Sequence, residues 1–151
     1  MPELLNIRGR PTRSAAVALL AAEGLPVQDL TDEHLEHFFY AGPDESPTAL
    51  VGLEMYAADA LLRSLVVGAD ARTKGLGSAL VRHAEDYASA HGVQALYLLT
   101  TTAGSFFGRL GYRLADRSQA PPSIQSSREF AGLCPANAAF MIKRLFQRGE
   151  V

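Results

Sequence analysis

Hydrophobic residues along this chain switch repeatedly between strand-like runs and helix-like spacing, with glycine, proline or polar residues at most of the switches. Leu4 to Arg8 reads as a first strand, and Ser14 to Glu23 as an alanine-rich helix capped by Ser14 and stopped at Gly24-Leu25-Pro26. Asp29 or Thr31 opens a short helical turn near His34, and Phe38 to Ala41 reads as strand. Two prolines and a glycine make Gly42 to Pro47 a turn, because they exclude helix and central strand alike. Thr48 to Tyr56 and Leu61 to Val67 then form two strands across Ala57 to Ala60, the pattern of a hairpin.

Helical spacing is clearest after Gly77, where Leu76, Leu80, Ala84, Tyr87, Ala88 and His91 share one face and Arg82, Glu85, Asp86 and Ser89 fall elsewhere. Gly92 supplies a left-handed stop. Ala95 to Thr101 is too continuous for a half-exposed strand and suits a central strand buried on both faces. Strand, glycine loop, helix and strand in that order form a right-handed crossover, so two neighbouring parallel strands are expected. A short helix from Ala103 to Leu110, closed by Gly111, leads to a strand from Tyr112. Pro121-Pro122 breaks the chain, a polar helical piece runs from Ser123 to Ala131, and Asn137 to Leu145 ends the pattern as strand. The expected fold is α/β, a mixed sheet with helices on both faces, forming one domain over residues 1–151 without linkers or repeats.

The junction between the strand ending at Val67 and the following helix carries the chemistry. Arg72-Thr-Lys-Gly75-Leu-Gly77 enters a helix whose first N–H groups lack intrahelical partners and sit at the positive end of the dipole. Arg72 and Lys74 add charge there, and the two glycines admit a phosphate close to the backbone. A nucleoside-triphosphate loop needs lysine after its second glycine, whereas Lys74 precedes the glycine pair. A dinucleotide loop needs a third glycine where Leu80 stands. Both readings fail, which leaves an anion seat of another kind or a glycine-rich turn entering an ordinary helix.

Composition narrows the partners. With 48% hydrophobic and 20% charged residues the chain is an ordinary globular protein, large enough to bury a core unaided. A net charge of −2 gives no electrostatic case for nucleic acid or an anionic membrane. The single cysteine, Cys134, forms no internal disulfide and fits a reducing cytoplasm. One cysteine and the scattered His34, His37, His83 and His91 give no zinc pattern, so no metal is expected. Arg8, Arg10 and Arg13 before the run Ala15 to Ala22 mimic a secretion signal, but the run is short and reads better as a packed helix. No stretch has the length of a membrane span.

Arg72-x-x-Gly75-x-Gly77 after a strand resembles the coenzyme A pyrophosphate loop of the GCN5-related N-acetyltransferase (GNAT) family. Phe106-Phe107 and Arg109-Leu-Gly-Tyr112 resemble that family's helix-to-strand ending, usually Phe-Tyr-x-x-x-Gly-Phe, and almost the whole chain can be laid on its fold. A narrower likeness lies in Leu61 to Val67, Thr100 to Ala103 and Glu129 to Ala138, which resemble acetyltransferases found with arsenic-resistance genes and related to enzymes acetylating phosphinothricin-type amino acids. The family resemblance implies splayed central parallel strands and acetyl-coenzyme A as cosubstrate, while the narrower one suggests a small amino-acid-like amine as acceptor. Homodimers are common in such folds, and no stripe in the sequence marks an interface.

The same resemblance implies direct acetyl transfer, so the protein orients two reactants and stabilises the oxyanion. It puts Leu65, Val66 and Val67 beside the coenzyme through their backbones, with the N–H near Val66 polarising the thioester carbonyl. Arg72, Thr73, Lys74, Gly75, Leu76, Gly77 and Ser78 would hold the pyrophosphate, and Phe106 and Phe107 pack in the core or against the pantetheine. Glu54 is the leading candidate to take the amine's proton, with His37 and Tyr56 behind it; the bland alternative for Glu54 is an ion pair with Arg63 or a solvent-facing position. Arg63 and Ser64, leaving their strand on opposite faces, and His37, Arg128 or Glu129 are candidates for substrate contact.

Where the family usually has a tyrosine acid this chain has Phe107, which has no proton to give. Tyr112, Ser105 and Cys134 are unranked substitutes. A thiol of pKa about 8.5 can also leave without a strong acid. A second function class therefore stays open beside the enzyme, a non-catalytic module that binds acyl-coenzyme A, and a protein terminus is an alternative acceptor. Cys134 between Leu133 and Pro135 reads more simply as a small buried hydrophobe than as a nucleophile.

Overall fold

The computed structural model describes residues 6–25, 27–28, 30–68, 75–127, 130 and 138–145. Expectations for Leu4, Asp29, Arg72, Thr73, Lys74, Arg128, Glu129 and Cys134 lie outside the described residues. The strands are β1 (Arg8–Gly9), β2 (Phe38–Ala41), β3 (Ala49–Tyr56), β4 (Asp59–Val67), β5 (Ala95–Thr100), β6 (Arg113–Leu114) and β7 (Ala139–Arg144). The helices are α1 (Arg13–Ala22), α2 (Asp32–Leu35), α3 (Leu76–Ala90), α4 (Gly104–Arg109) and α5 (Pro122–Gln125). The strands form one mixed sheet in the order β1-β2-β3-β4-β5-β7-β6. Two compact units divide the chain, Met1–Leu53 with Ser64–Ala84, and Glu54–Arg63 with Glu85–Val151, so β3, β4 and α3 each contribute to both.

In the first unit, β2 pairs antiparallel with β3, setting Phe38 opposite Gly52 and Ala41 opposite Ala49. All four residues of β2 are buried, and Phe38, Tyr40, Leu50 and Val66 form a core with Ala16, Leu20, Leu30 and Leu35. Thr12, and not Ser14, caps α1: its extended backbone turns its Oγ onto the Ala15 N–H at 3.2 Å. Thr31 caps α2, with His34 Nδ1 accepting in return from the Thr31 N–H at 3.2 Å. The end of β4 is tied to the start of β3 by the Gly68 N–H, which donates to Thr48 O at 2.7 Å.

The second unit contains the expected parallel neighbours. β4 and β5 pair Asp59 with Ala95, Ala60 with Leu96 and Leu61 with Tyr97, and this ladder does not reach Leu62 or Arg63. β5 then pairs antiparallel with β7 along its whole length, and β7 with the short β6. Leu61, Ile124, Phe140 and Ile142 form the core here, with Tyr56, Tyr97 and Phe130 packed against it.

Several boundaries move for physical reasons. The hairpin turn is only Ala57-Ala58, with Ala57 at φ +60, so β4 begins at Asp59; a two-residue turn suits the right-handed strand twist better than a four-residue one. On α3, Leu76, Leu80, Val81, Ala84 and Ala88 are buried, while His91 lies beyond the helix end, exposed and stacked on Tyr87. β5 is buried at Ala95, Leu96 and Leu98 and half-buried at Tyr97, Leu99 and Thr100, less enclosed than its apolar run suggested. Of the helical piece expected from Ser123 to Ala131, α5 takes up the start, while residues 128, 129 and 131 lie outside the described residues.

Candidate active site

The expected anion seat would start from a turn that only glycine adopts cheaply. Gly75 has φ +75 and is exposed, and a Cβ built on it would meet no atom within 4 Å. Leu76 opens α3, and the first rung of its ladder is the Ala79 N–H donating to Gly75 O at 3.1 Å. The N–H groups of Leu76, Gly77 and Ser78 precede that rung, so the head of a 15-residue helix presents donors and a positive dipole end. An anionic pyrophosphate fits such a donor set.

Val66 is buried in the first unit's core, and Leu65 and Val67 are half-buried. Ser64 has φ +61, a left-handed value in the middle of a strand. That conformation breaks the alternation on which opposite directions for Arg63 and Ser64 were expected, and such strain persists only where surrounding structure holds it.

Glu54, Tyr56 and Arg63 meet in the second unit. Arg63 Nη1 donates to Glu54 Oε2 at 2.7 Å, and the Tyr56 hydroxyl donates to Glu54 Oε1 at 2.5 Å. Glu54 and Arg63 are only 7% and 4% exposed, whereas Tyr56 is half-buried. The ion pair foreseen as the alternative for Glu54 is therefore formed. Tyr56 stands two residues from Glu54 along β3, which puts both side chains on one face. That two-residue spacing from a carboxylate, across a hairpin from an arginine, is the pattern in the sequence that brings Tyr56 to Glu54.

Tyr112 is committed elsewhere. It is 3% exposed and donates to Glu85 Oε2 at 2.9 Å, while Lys143 Nζ lies 3.0 Å from the same oxygen and donates to Leu110 O at 2.8 Å. Burial first, and then the Glu85 charge and hydrogen bond, push the Tyr112 hydroxyl far above the ordinary phenol range. A phenol so placed is a poor proton donor. Glu85 and Lys143, which the sequence did not single out, also line an open groove of about 460 Å³ with Asp86, Ser89 and Arg144.

Phe107 is buried, edge-on to Phe106 at 5.1 Å and to Tyr112 at 5.4 Å, while Phe106 is half-buried and Ser105 exposed. His37 is half-buried in the first unit, where its carbonyl accepts from the Leu53 N–H at 3.0 Å. Among the described residues no cluster of His, Cys, Asp and Glu is arranged to hold a metal ion. No helix among them is long and apolar enough to cross a membrane.

The sequence pattern described as Acetyltransferase (GNAT) family matches residues 3–112. An uncharacterized N-acetyltransferase of Chlorobaculum tepidum is 32% identical over 108 residues, 69% of each chain. N-acetylglutamate synthase of Neisseria gonorrhoeae, solved with coenzyme A and N-acetyl-glutamate, superposes with a TM-score of 0.79 at 21% identity, over 97% of this chain. This chain spans only 36% of the length of that synthase. A Mycobacterium tuberculosis protein solved with CoA gives a TM-score of 0.74 at 17% identity, covering 93% of this chain and 99% of the other.

Proposed function

Because the chain belongs to the acetyltransferase (GNAT) family, we propose that it transfers the acetyl group of acetyl-coenzyme A to the amine of a small, amino-acid-like molecule by direct attack in a ternary complex. The observation that carries the donor half is Gly75, left-handed and open at the head of α3, where the chain's spacing matches the family's pyrophosphate loop. The cosubstrate supplies an activated thioester; everything else falls to the protein.

The proposed roles follow the family resemblance residue by residue. The backbone of Gly75 to Ser78, with Arg72, Thr73 and Lys74, neutralises and seats the pyrophosphate. Leu65, Val66 and Val67 present backbone groups to the pantetheine, and a Val66 N–H aimed at the thioester oxygen contributes about 3 kcal/mol as an oxyanion donor. Half-buried Phe106 suits packing against the pantetheine, and buried Phe107 suits the core. Arg63, Ser64 and His37 stand as candidates for holding the acceptor, and Glu54 as the carboxylate that takes the amine's proton, directly or through water.

An amino-acid-like acceptor is supported by the resemblance to phosphinothricin-type acetyltransferases and the arsenic-resistance subgroup, and by the structural likeness to a synthase solved with N-acetyl-glutamate. The lone cysteine supports a cytoplasmic location. Phe107 at the usual acid position favours the second reading, a non-catalytic module that binds acyl-coenzyme A. The test is release of free thiol from acetyl-coenzyme A across the twenty amino acids, primary amines and short peptides. Coenzyme binding without acceptor-dependent release sinks the catalytic reading, and an acetylated peptide terminus as product moves it to protein amines.

A further inference from the structure

We propose that the groove between the C-terminal half of α3 and the end of β7 binds a free α-amino acid with a small apolar side chain, held as a zwitterion between Asp86 and Arg144. The groove measures about 460 Å³, within the roughly 300–1,000 Å³ of small-molecule sites. Glu85, Asp86 and Ala90 line it from α3, and Lys143, Arg144 and Leu145 from the end of β7. All of these residues belong to the second unit. The acetyl-transfer roles proposed above use none of them, so the site stands independently of that reading.

Four charged side chains line the groove, two of each sign. Two of them are spent on each other and on the fold. Lys143 Nζ donates to the Glu85 carboxylate at 3.1 and 3.0 Å and to Leu110 O at 2.8 Å, and the Tyr112 hydroxyl donates to Glu85 Oε2 at 2.9 Å. Asp86 and Arg144 are the other two. Both are exposed, and among the described residues neither makes an ion pair or a side-chain hydrogen bond. Arg144 acts on the Tyr97 hydroxyl through its charge alone, which leaves its five N–H donors, like the acceptor oxygens of Asp86, open to a ligand.

Helix and strand thus offer one anion and one cation to a shared groove without closing on each other. A ligand that carries both charges close together answers both walls. An α-amino acid does so: its carboxylate meets the planar fork of Arg144, and its ammonium donates to the Asp86 carboxylate. A ligand with one charge leaves one wall without a partner. A third charge, on the ligand's side chain, gains nothing, because Glu85 and Lys143 already satisfy each other. Ala90 and Leu145 offer apolar surface instead, which suits alanine, valine or leucine.

The experiment titrates the full chain, without acetyl-coenzyme A, with alanine, valine and leucine, read by calorimetry and by backbone amide NMR. At least one of the three should bind and shift the amides of Ala90 and Leu145. Its methyl ester lacks the carboxylate and its N-acetyl form lacks the ammonium, so each should bind at least tenfold more weakly. Asp86→Asn and Arg144→Gln should each weaken the free amino acid by a similar factor, with circular dichroism and the rate of acetyl transfer unchanged. Four results overturn the site: no shift of those amides with any of the three, a derivative that binds as well as the free amino acid, variants that bind as the parent chain does, or tighter binding of glutamate or lysine. None of these results bears on acetyl transfer, whose failure is read separately from free thiol.

Discussion

Arg63 Nη1 lies 2.7 Å from Glu54 Oε2, with side chains 0% and 6% exposed, so this ion pair sits out of reach of solvent screening. Breaking a buried pair leaves one charge without its counterion, and that penalty exceeds what the pair contributes relative to an apolar replacement. Arg63→Ala should therefore cost about 3–5 kcal/mol in urea unfolding, whereas Glu54→Leu with Arg63→Met together should recover most of the loss. A single-variant cost below about 1 kcal/mol would show that the pair behaves like an exposed one.

Gly52 on β3 faces the ring of Phe38, and a Cβ there would stand 2.3 Å from ring carbons. Since Phe38 is fully buried, the ring cannot swing into solvent. Gly52→Ala should lower stability by about 1–3 kcal/mol through overpacking. Trimming the partner in Gly52→Ala with Phe38→Leu should return part of it, read as a rise in Tm over the single variant.

Gly77→Asp tests the pyrophosphate seat. The substitution puts bulk and negative charge at the head of α3 and should weaken coenzyme A binding at least tenfold, about 1.4 kcal/mol by calorimetry, without unfolding the chain. Unaltered affinity moves the phosphates away from this loop.

Tyr112 sets an alkaline limit. Burial and the Glu85 carboxylate raise its folded pKa above the unfolded value, so the folded state holds the phenolic proton more tightly. Its contribution to stability is therefore whole below about pH 10, the unfolded value, and is lost as pH rises beyond it. Unfolding free energy should fall steeply above pH 10 in the parent chain and less steeply in Tyr112→Phe. Equal slopes would mean that Tyr112 does not titrate on unfolding in that range.

Much of this was legible in residue order. The switch from strand-like to helical spacing around Gly75 matches β4, α3 and β5, and the parallel neighbours expected from that order are β4 and β5, whose register, starting at Asp59, the sequence did not give. Boundaries were less legible because caps depend on local geometry: Ser14 is by type at least as good a cap as Thr12, and the extended backbone at Thr12 makes it the one used. His91 continued the apolar face on paper, yet the helix ends before it.

The sequence by itself carries the family likeness, because a glycine loop at a helix start is built from consecutive residues whose backbone freedom is intrinsic to their type. Tertiary structure alone decided how the polar side chains are used. Glu54 and Arg63 are nine residues apart, and Tyr112 is 27 from Glu85. Whether such groups face water, substrate or each other depends on strand pairing and burial, which bring distant positions together and exclude solvent from them. Glu54 is thus held by Arg63 and covered by Tyr56, and Tyr112 is held by Glu85, arrangements that no local pattern could choose between.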